Sequence, residues 1–194
     1  MKKSSKFISP RKVILLGDAN VGKTSLIHAY QRKELPEIST VSCNILNVTV
    51  KYMEQPIPLN IWDTAGQEIF NSITPLFYQS CSCAILVYDQ HDPNSFEKMK
   101  ILYKTASDDY SVEHFIVAAN KNDLEEKVPF NEAKEWCREK KIRIIKTSAV
   151  TNLNISNLLL SVGEIVASSD EIVQNHLNLE IDNVRNSTND LCCF

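Results

Sequence analysis

Hydrophobic residues in this chain first gather in "KVILLG", a short apolar run closed by Gly17, as in a strand buried on both faces. In "TSLIHAY" the spacing turns helical, with Leu26, Ile27 and Tyr30 on one side. Two alternating stretches follow. "ILNVTVKY" lines up Leu46, Val48, Val50 and Tyr52 on one face, and "IPLNIWD" lines up Ile57, Leu59 and Ile61. The link "MEQP" is short enough for a hairpin, so this pair of strands is expected to be antiparallel.

Strand and helix patterns then alternate. "CAILVYD" reads as a buried strand, and "SFEKMKILYKTA" as a helix packed through Phe96, Met99, Tyr103 and Ala106. "HFIVAANKND" is a strand running into a polar loop. "NEAKEWCREK" is a helix with Ala133, Trp136 and Cys137 turned inward. "IRIIKTSA" supplies the sixth strand, and "NISNLLLSVGEIVA" a helix buried through Ile155, Leu158, Leu159, Val162 and Val166. The pattern predicts an α/β fold: a six-stranded, mostly parallel sheet with one antiparallel edge strand and helices on both faces. Periodicity fades from about Ser168. The expected organisation is a flexible N-terminus over 1–10, one folded domain over 11–168, and a disordered polar tail over 169–194.

Composition narrows this only a little. A net charge of −3 and a pI near 5.8 offer no general attraction for nucleic acid. No run of about 18 apolar residues occurs, so no bilayer-spanning helix is expected. The basic opening "MKKSSKFISPRK" lacks the apolar centre of a secretory signal, which points to a cytosolic chain. Cys43, Cys81, Cys83 and Cys137 suit neither a zinc site nor a disulfide framework, and read as reduced, mostly buried residues.

Candidate chemistry sits in four short motifs. "GDANVGKT" fits G-x-x-x-x-G-K-[ST] between a strand and a helix, the context this phosphate-binding loop requires. Gly17 and Gly22 let the backbone wrap closely, so amides from Ala19, Asn20, Val21, Gly22, Lys23, Thr24 and Ser25 can meet phosphate oxygens. Lys23 adds positive charge near the terminal phosphates, and the Thr24 hydroxyl can ligate Mg²⁺. The loop places the sheet in the P-loop NTPase class and by itself implies a nucleoside triphosphate. "WDTAGQE" follows an apolar strand. Asp63 there can hold a Mg²⁺-bound water, Ala65 and Gly66 can approach the last phosphate, and Gln67 can orient an attacking water.

"NKND" selects the base. A carboxylate at Asp123 can accept two parallel hydrogen bonds from N1–H and N2–H₂ of guanine, while adenine would leave it unpaired and desolvated. This speaks against a P-loop ATPase or kinase. Asn120 and the stem of Lys121 would brace the loop and cover the base, and "TSA", Thr147, Ser148 and Ala149, offers a backbone donor for guanine O6. Loops after four strands would thus converge at the carboxyl edge of one sheet, where open α/β sheets bind ligands.

With these motifs in this order, residues 11–168 resemble the Ras superfamily of small GTPases, and within it the Rab family. "FNSITPLFYQ", "LVYDQHDPNSF" and the ending "LCCF" are each similar to Rab segments. The resemblance implies a GTP/GDP switch in vesicle-mediated membrane traffic that hydrolyses GTP with Mg²⁺. Thr24, Thr40 and Asp63 would hold the metal, and Gln67 and Lys23 would serve catalysis. It also implies an exchange factor, a GTPase-activating protein, effectors, a GDP-dissociation inhibitor and a Rab escort protein, acting on a monomer. Cys192 and Cys193 would each carry a geranylgeranyl group, placing the chain on the cytoplasmic face of intracellular membranes with a cytosolic pool. Two lipids suit this tail. Asp170, Glu171, Glu180, Asp182 and Asp190 stand against Arg185 alone, so no basic patch assists a single lipid.

Departures from the family pattern concern the stretch "STVSCN", with Ser42 in place of the usual glycine, and Leu35, where the family stacks an aromatic residue on guanine. Faster nucleotide release is therefore expected. The altered segment also leaves open a second reading, a GTP-binding scaffold with little hydrolysis.

Overall fold

The computed structural model describes residues 9–35, 44–63 and 74–169. Six strands form one sheet: β1 (Arg11–Leu16), β2 (Asn44–Tyr52), β3 (Gln55–Asp63), β4 (Cys83–Asp89), β5 (Phe115–Asn120) and β6 (Arg143–Lys146). Their order is β2-β3-β1-β4-β5-β6. Only β2 runs antiparallel to its neighbour, and every other pairing is parallel. This is the predicted α/β architecture. The first strand lies at the centre because each later βα unit adds on one side or the other of it, and the loops on either side open a crevice at its carboxyl end.

Helices cover both faces: α1 (Lys23–Tyr30), α2 (Thr74–Tyr78), α3 (Pro93–Lys104), α4 (Phe130–Glu139) and α5 over 155–169. Alternation along β1 divides its side chains between two cores. Val13 and Leu15 join Leu26 and Ile27 of α1 and Leu158 and Val162 of α5. Ile14 and Leu16 join Phe96 and Met99 of α3 and Ala133 of α4. Every residue of β4 and β5 is buried, which explains why these strands read as continuous apolar runs and not as alternating ones.

Three features depart from the sequence pattern. The β2–β3 link is a turn of only two residues, Met53 and Glu54, both left-handed at φ 45° and 62°. That geometry matches the twist of the flanking strands even without glycine or asparagine. The helix expected to continue through Ala106 stops at Lys104 and widens into a π turn over Thr105–Asp109. Ala106 stays buried, and its carbonyl accepts from Val112 N–H at 2.9 Å. Cys83 and Cys137 are buried and reduced, but Cys81 is only half-buried, and Cys43 lies outside the described residues. Burial pushes the Cys81 thiol up to about 11 and the Cys137 thiol up to about 12, so both stay protonated.

Candidate functional site

The phosphate-loop motif spans the end of β1 and the start of α1. A Cβ on Gly17 would lie 2.4 Å from the Val87 carbonyl oxygen, so only glycine lets this loop pass so close to β4. Gly22 is the N-cap of α1 with φ 94°, a conformation L side chains rarely adopt, and a Cβ there would meet Asn120 Nδ2 at 2.4 Å. Ala19 and Asn20 lie on the loop, with Asn20 itself left-handed at φ 63° and exposed, and Val21 is buried beneath. The first turn of α1, which begins at Lys23 and includes Thr24 and Ser25, carries no acidic residue of its own, which keeps the helix N-terminus favourable to an anion.

Lys23 is 6% exposed, and its ammonium donates to the carbonyls of Gly17 at 3.1 Å and Asp18 at 2.8 Å. Burial pulls its pKa down to about 8, with Asp63 and Asp18 opposing that shift. An incoming phosphate would supply the charge partner that burial denies it. Asp63, the last residue of β3, is fully buried. Its Oδ2 accepts from Thr24 Oγ1 at 2.5 Å, while its Oδ1 has no hydrogen-bond partner among the described residues. Burial raises the Asp63 carboxyl above its ordinary range, and the Thr24 hydrogen bond and the Lys23 charge resist this. A hydroxyl and a buried carboxylate with one oxygen unsatisfied, set beside a phosphate loop, fit a hard divalent cation with oxygen ligands.

The base-selecting motif begins one residue earlier than a loop reading suggests, because Asn120 is the final residue of β5. Its side chain ties three motifs together. Nδ2 donates to the Val21 carbonyl at 2.8 Å, and Oδ1 accepts from Thr147 Oγ1 at 3.2 Å. Lys121, left-handed at φ 60°, pairs with Asp89 at 2.8 Å. Asn122 N–H donates to the Thr147 carbonyl at 3.0 Å. Asp123 is exposed, and its Oδ1 accepts from the Ser148 hydroxyl at 2.5 Å. Thr147 and Ser148 are fully buried, and Ala149 is half-buried beside them. The structure thus brings Gly17 to Ser25, Asp63, Asn120 to Asp123 and Thr147 to Ala149 to one sheet edge. Thr40, Ala65, Gly66, Gln67, Cys192 and Cys193 lie outside the described residues.

Sequence reasoning missed the supporting residues. Asp89 holds Lys121, and its other oxygen accepts from His91 N–H at 2.9 Å. Gln90 is buried and donates its side-chain amide to Asn122 Oδ1 at 3.1 Å, while its backbone carbonyl accepts from the backbone N–H groups of Lys127 and Val128. Lys98 of α3 pairs with Asp18 of the phosphate loop at 2.6 Å. The available signals for Asp89 and Gln90 were their place at the end of an apolar strand and within "LVYDQHDPNSF", the stretch similar to a Rab segment.

Comparison with known proteins identifies a family. The Ras family model matches residues 12–168. Ras-related protein Rab7 of Drosophila melanogaster is 36% identical over 153 residues, covering 74% of each chain. RABG3e of Arabidopsis thaliana is 33% identical over 183 residues, 88% of this chain and 89% of its own. Rab-7b of Homo sapiens is 33% identical over 191 residues, 94% of this chain and 96% of its own.

Proposed function

This chain belongs to the Ras family of small GTPases, in its Rab branch, and from that premise we propose the residues and contacts by which it works. It binds GTP and GDP with Mg²⁺, hydrolyses GTP and acts in vesicle traffic. The observation that supports our assignment most is the Asn120–Val21 hydrogen bond, which joins the base loop to the phosphate loop. One ligand carrying both a purine and a phosphate chain satisfies both loops at once.

In this reading the backbone from Gly17 to Ser25 cradles the phosphates and Lys23 leaves the Gly17 and Asp18 carbonyls for the β,γ-phosphate oxygens. Thr24, Asp63 and Thr40 would hold Mg²⁺, Asp63 by way of a metal-bound water. When bound, the metal neutralises the charge that builds on the phosphates during in-line attack. Gln67 orients the water, and Ala65 and Gly66 sense the third phosphate together with Thr40, whose segment releases when that phosphate leaves. Asp123 reads guanine N1–H and N2–H₂, while Ser148 fixes one of its oxygens and the Ala149 backbone meets O6.

Regulators and effectors of the general small-GTPase kind act on such a switch. An exchange factor, an activating protein, a GDP-dissociation inhibitor and an escort protein are the expected set for this chain. Exposed apolar residues on the β2–β3 face support effector docking there. Ile45 is 52% exposed and sits in register with Trp62, and Leu76 on the neighbouring α2 is 55% exposed. Geranylgeranylation of Cys192 and Cys193 would place the chain on the cytoplasmic face of intracellular membranes, with the domain over 11–168 and the tail over 169–194 as its tether.

Single-turnover hydrolysis of bound GTP tests the catalytic assignment. Gln67→Leu is expected to slow it at least about tenfold, as befits loss of the group that positions water. Equal and negligible rates in both proteins would favour the scaffold reading instead. Nucleotide exchange tests a second point. Leu35 follows α1 and is exposed, and no aromatic residue lies between Tyr30 and Leu35. Leu35→Phe is expected to slow release of a fluorescent GDP analogue roughly 5- to 100-fold, the worth of stacking one base on one ring. A release rate unchanged by the aromatic would remove Leu35 from the base site.

A further inference from the structure

A cavity of about 630 Å³ opens at the end of the sheet opposite the nucleotide edge, where β5 and β6 begin. Tyr103, Phe115, Ile142 and Ile165 contribute its apolar part, within a lining that is mostly polar. Its rim is mostly basic: His114, Lys140, Lys141 and Arg143, with Glu113 as the opposing carboxylate. Arg143 is committed to Glu164 at 2.7 Å and to Ser161 at 2.9 Å. Lys140 and Lys141 are exposed and have no ion-pair partner among the described residues. Backbone irregularities gather at the same rim. The π turn Thr105–Asp109 supplies Ser107, while Ser111 and Lys141 are left-handed at φ 54° and 57°.

The chain itself brings a complementary ligand to this rim. Helix α5 ends beside the cavity, with Ile165 in its wall and Ser169 Oγ 2.8 Å from His114 Nε2. The next residues are "DEIVQNHLNLEID", 170–182, which carry Asp170, Glu171, Glu180 and Asp182 and no lysine or arginine. Apolar Ile172, Val173, Leu177, Leu179 and Ile181 are interleaved with them. We propose that this cavity is a docking site for the chain's own acidic segment 170–182, with carboxylates at Lys140 and Lys141 and apolar side chains over Phe115 and Ile142.

Attachment at Ser169 makes the contact intramolecular. The effective concentration at the end of so short a link is on the order of millimolar, so even a weak acidic and apolar match populates the docked state. Docking takes up these residues and leaves only 183–194 as free tether, at most roughly 40 Å when fully extended. Release of the segment would lengthen the reach of the domain. This docking depends neither on the nucleotide nor on the modification of Cys192 and Cys193.

The test uses the full chain loaded with GDP. Chymotrypsin cleavage after Leu177 and Leu179 is followed by mass in the wild type, in Lys140→Glu/Lys141→Glu, and in that variant with Asp170→Lys/Glu171→Lys added. Charge reversal at the exposed rim is expected to speed cleavage roughly fivefold, the joint worth of two surface ion pairs, and the compensating pair to restore protection. GDP retention in each variant checks the fold. Equal cleavage in all three overturns the proposal. So does an amide spectrum in which Ser111 and Lys141 ignore Asp170→Asn/Glu171→Gln and respond only to an acidic peptide added from outside.

Discussion

Asp123→Asn is expected to weaken GDP binding by roughly 10²- to 10⁴-fold, because two hydrogen bonds to a charged group, each worth about 1.5–3 kcal/mol, lose their acceptor pair. The same variant should gain xanthosine diphosphate. Xanthine carries a carbonyl where guanine carries its N2 amine, so an asparagine amide can donate to it while its own oxygen accepts from N1–H. The loop should survive the change. Ser148 Oγ, 2.5 Å from Asp123 Oδ1, can donate to an amide oxygen as it does to a carboxylate, and Asn122 keeps its bond to the Thr147 carbonyl. Calorimetric titration with guanosine, xanthosine and adenosine diphosphates reads the outcome. Undiminished GDP affinity, or a gain for adenosine diphosphate, would mean that Asp123 does not read the base.

Gly22→Ala acts on the other loop and on the fold itself. At φ 94° an alanine carries a backbone penalty of at least about 1–2 kcal/mol. Its Cβ would also push Asn120 Nδ2 away from the Val21 carbonyl, forfeiting a further ~1 kcal/mol for a buried hydrogen bond. A total of about 2–3 kcal/mol lowers the melting temperature of a chain this size by roughly 4–12 °C. Nucleotide should be lost as well, since the same atoms set the amides that face the phosphates. Thermal melts of protein purified with excess GDP, with bound nucleotide quantified afterwards, decide the matter. A variant that melts with the wild type and keeps its GDP would show the loop to be far looser than the Gly22–Asn120 approach indicates.

Much of this molecule is legible in one dimension. The buried run "KVILLG", the alternation of β2 and β3 and the helical stripes of α1, α3, α4 and α5 each reflect a local rule, a period of two or of 3.6 residues. Those rules also place the four motifs at strand ends. They fail where shape depends on a neighbour. The Met53–Glu54 turn has none of the residues that announce left-handed geometry, and the twist of the paired strands imposes it. The π turn after Lys104 likewise has no local signature, because its spacing answers to the buried position of Ala106.

The amino-acid sequence alone determined the α/β class and the order of its elements, and it supplied the "NKND" carboxylate that we propose reads the purine. Tertiary structure alone decided that Asn120 clasps Val21, that Thr24 meets Asp63 while the second Asp63 oxygen has no partner among the described residues, and that Asp89 steadies Lys121. It also decided that a basic cavity lies where α5 hands over to an acidic segment. The reason is physical. Propensity and periodicity act over a few residues, whereas these contacts join residues tens of positions apart, and only the lateral order of strands in the sheet brings them within hydrogen-bonding reach.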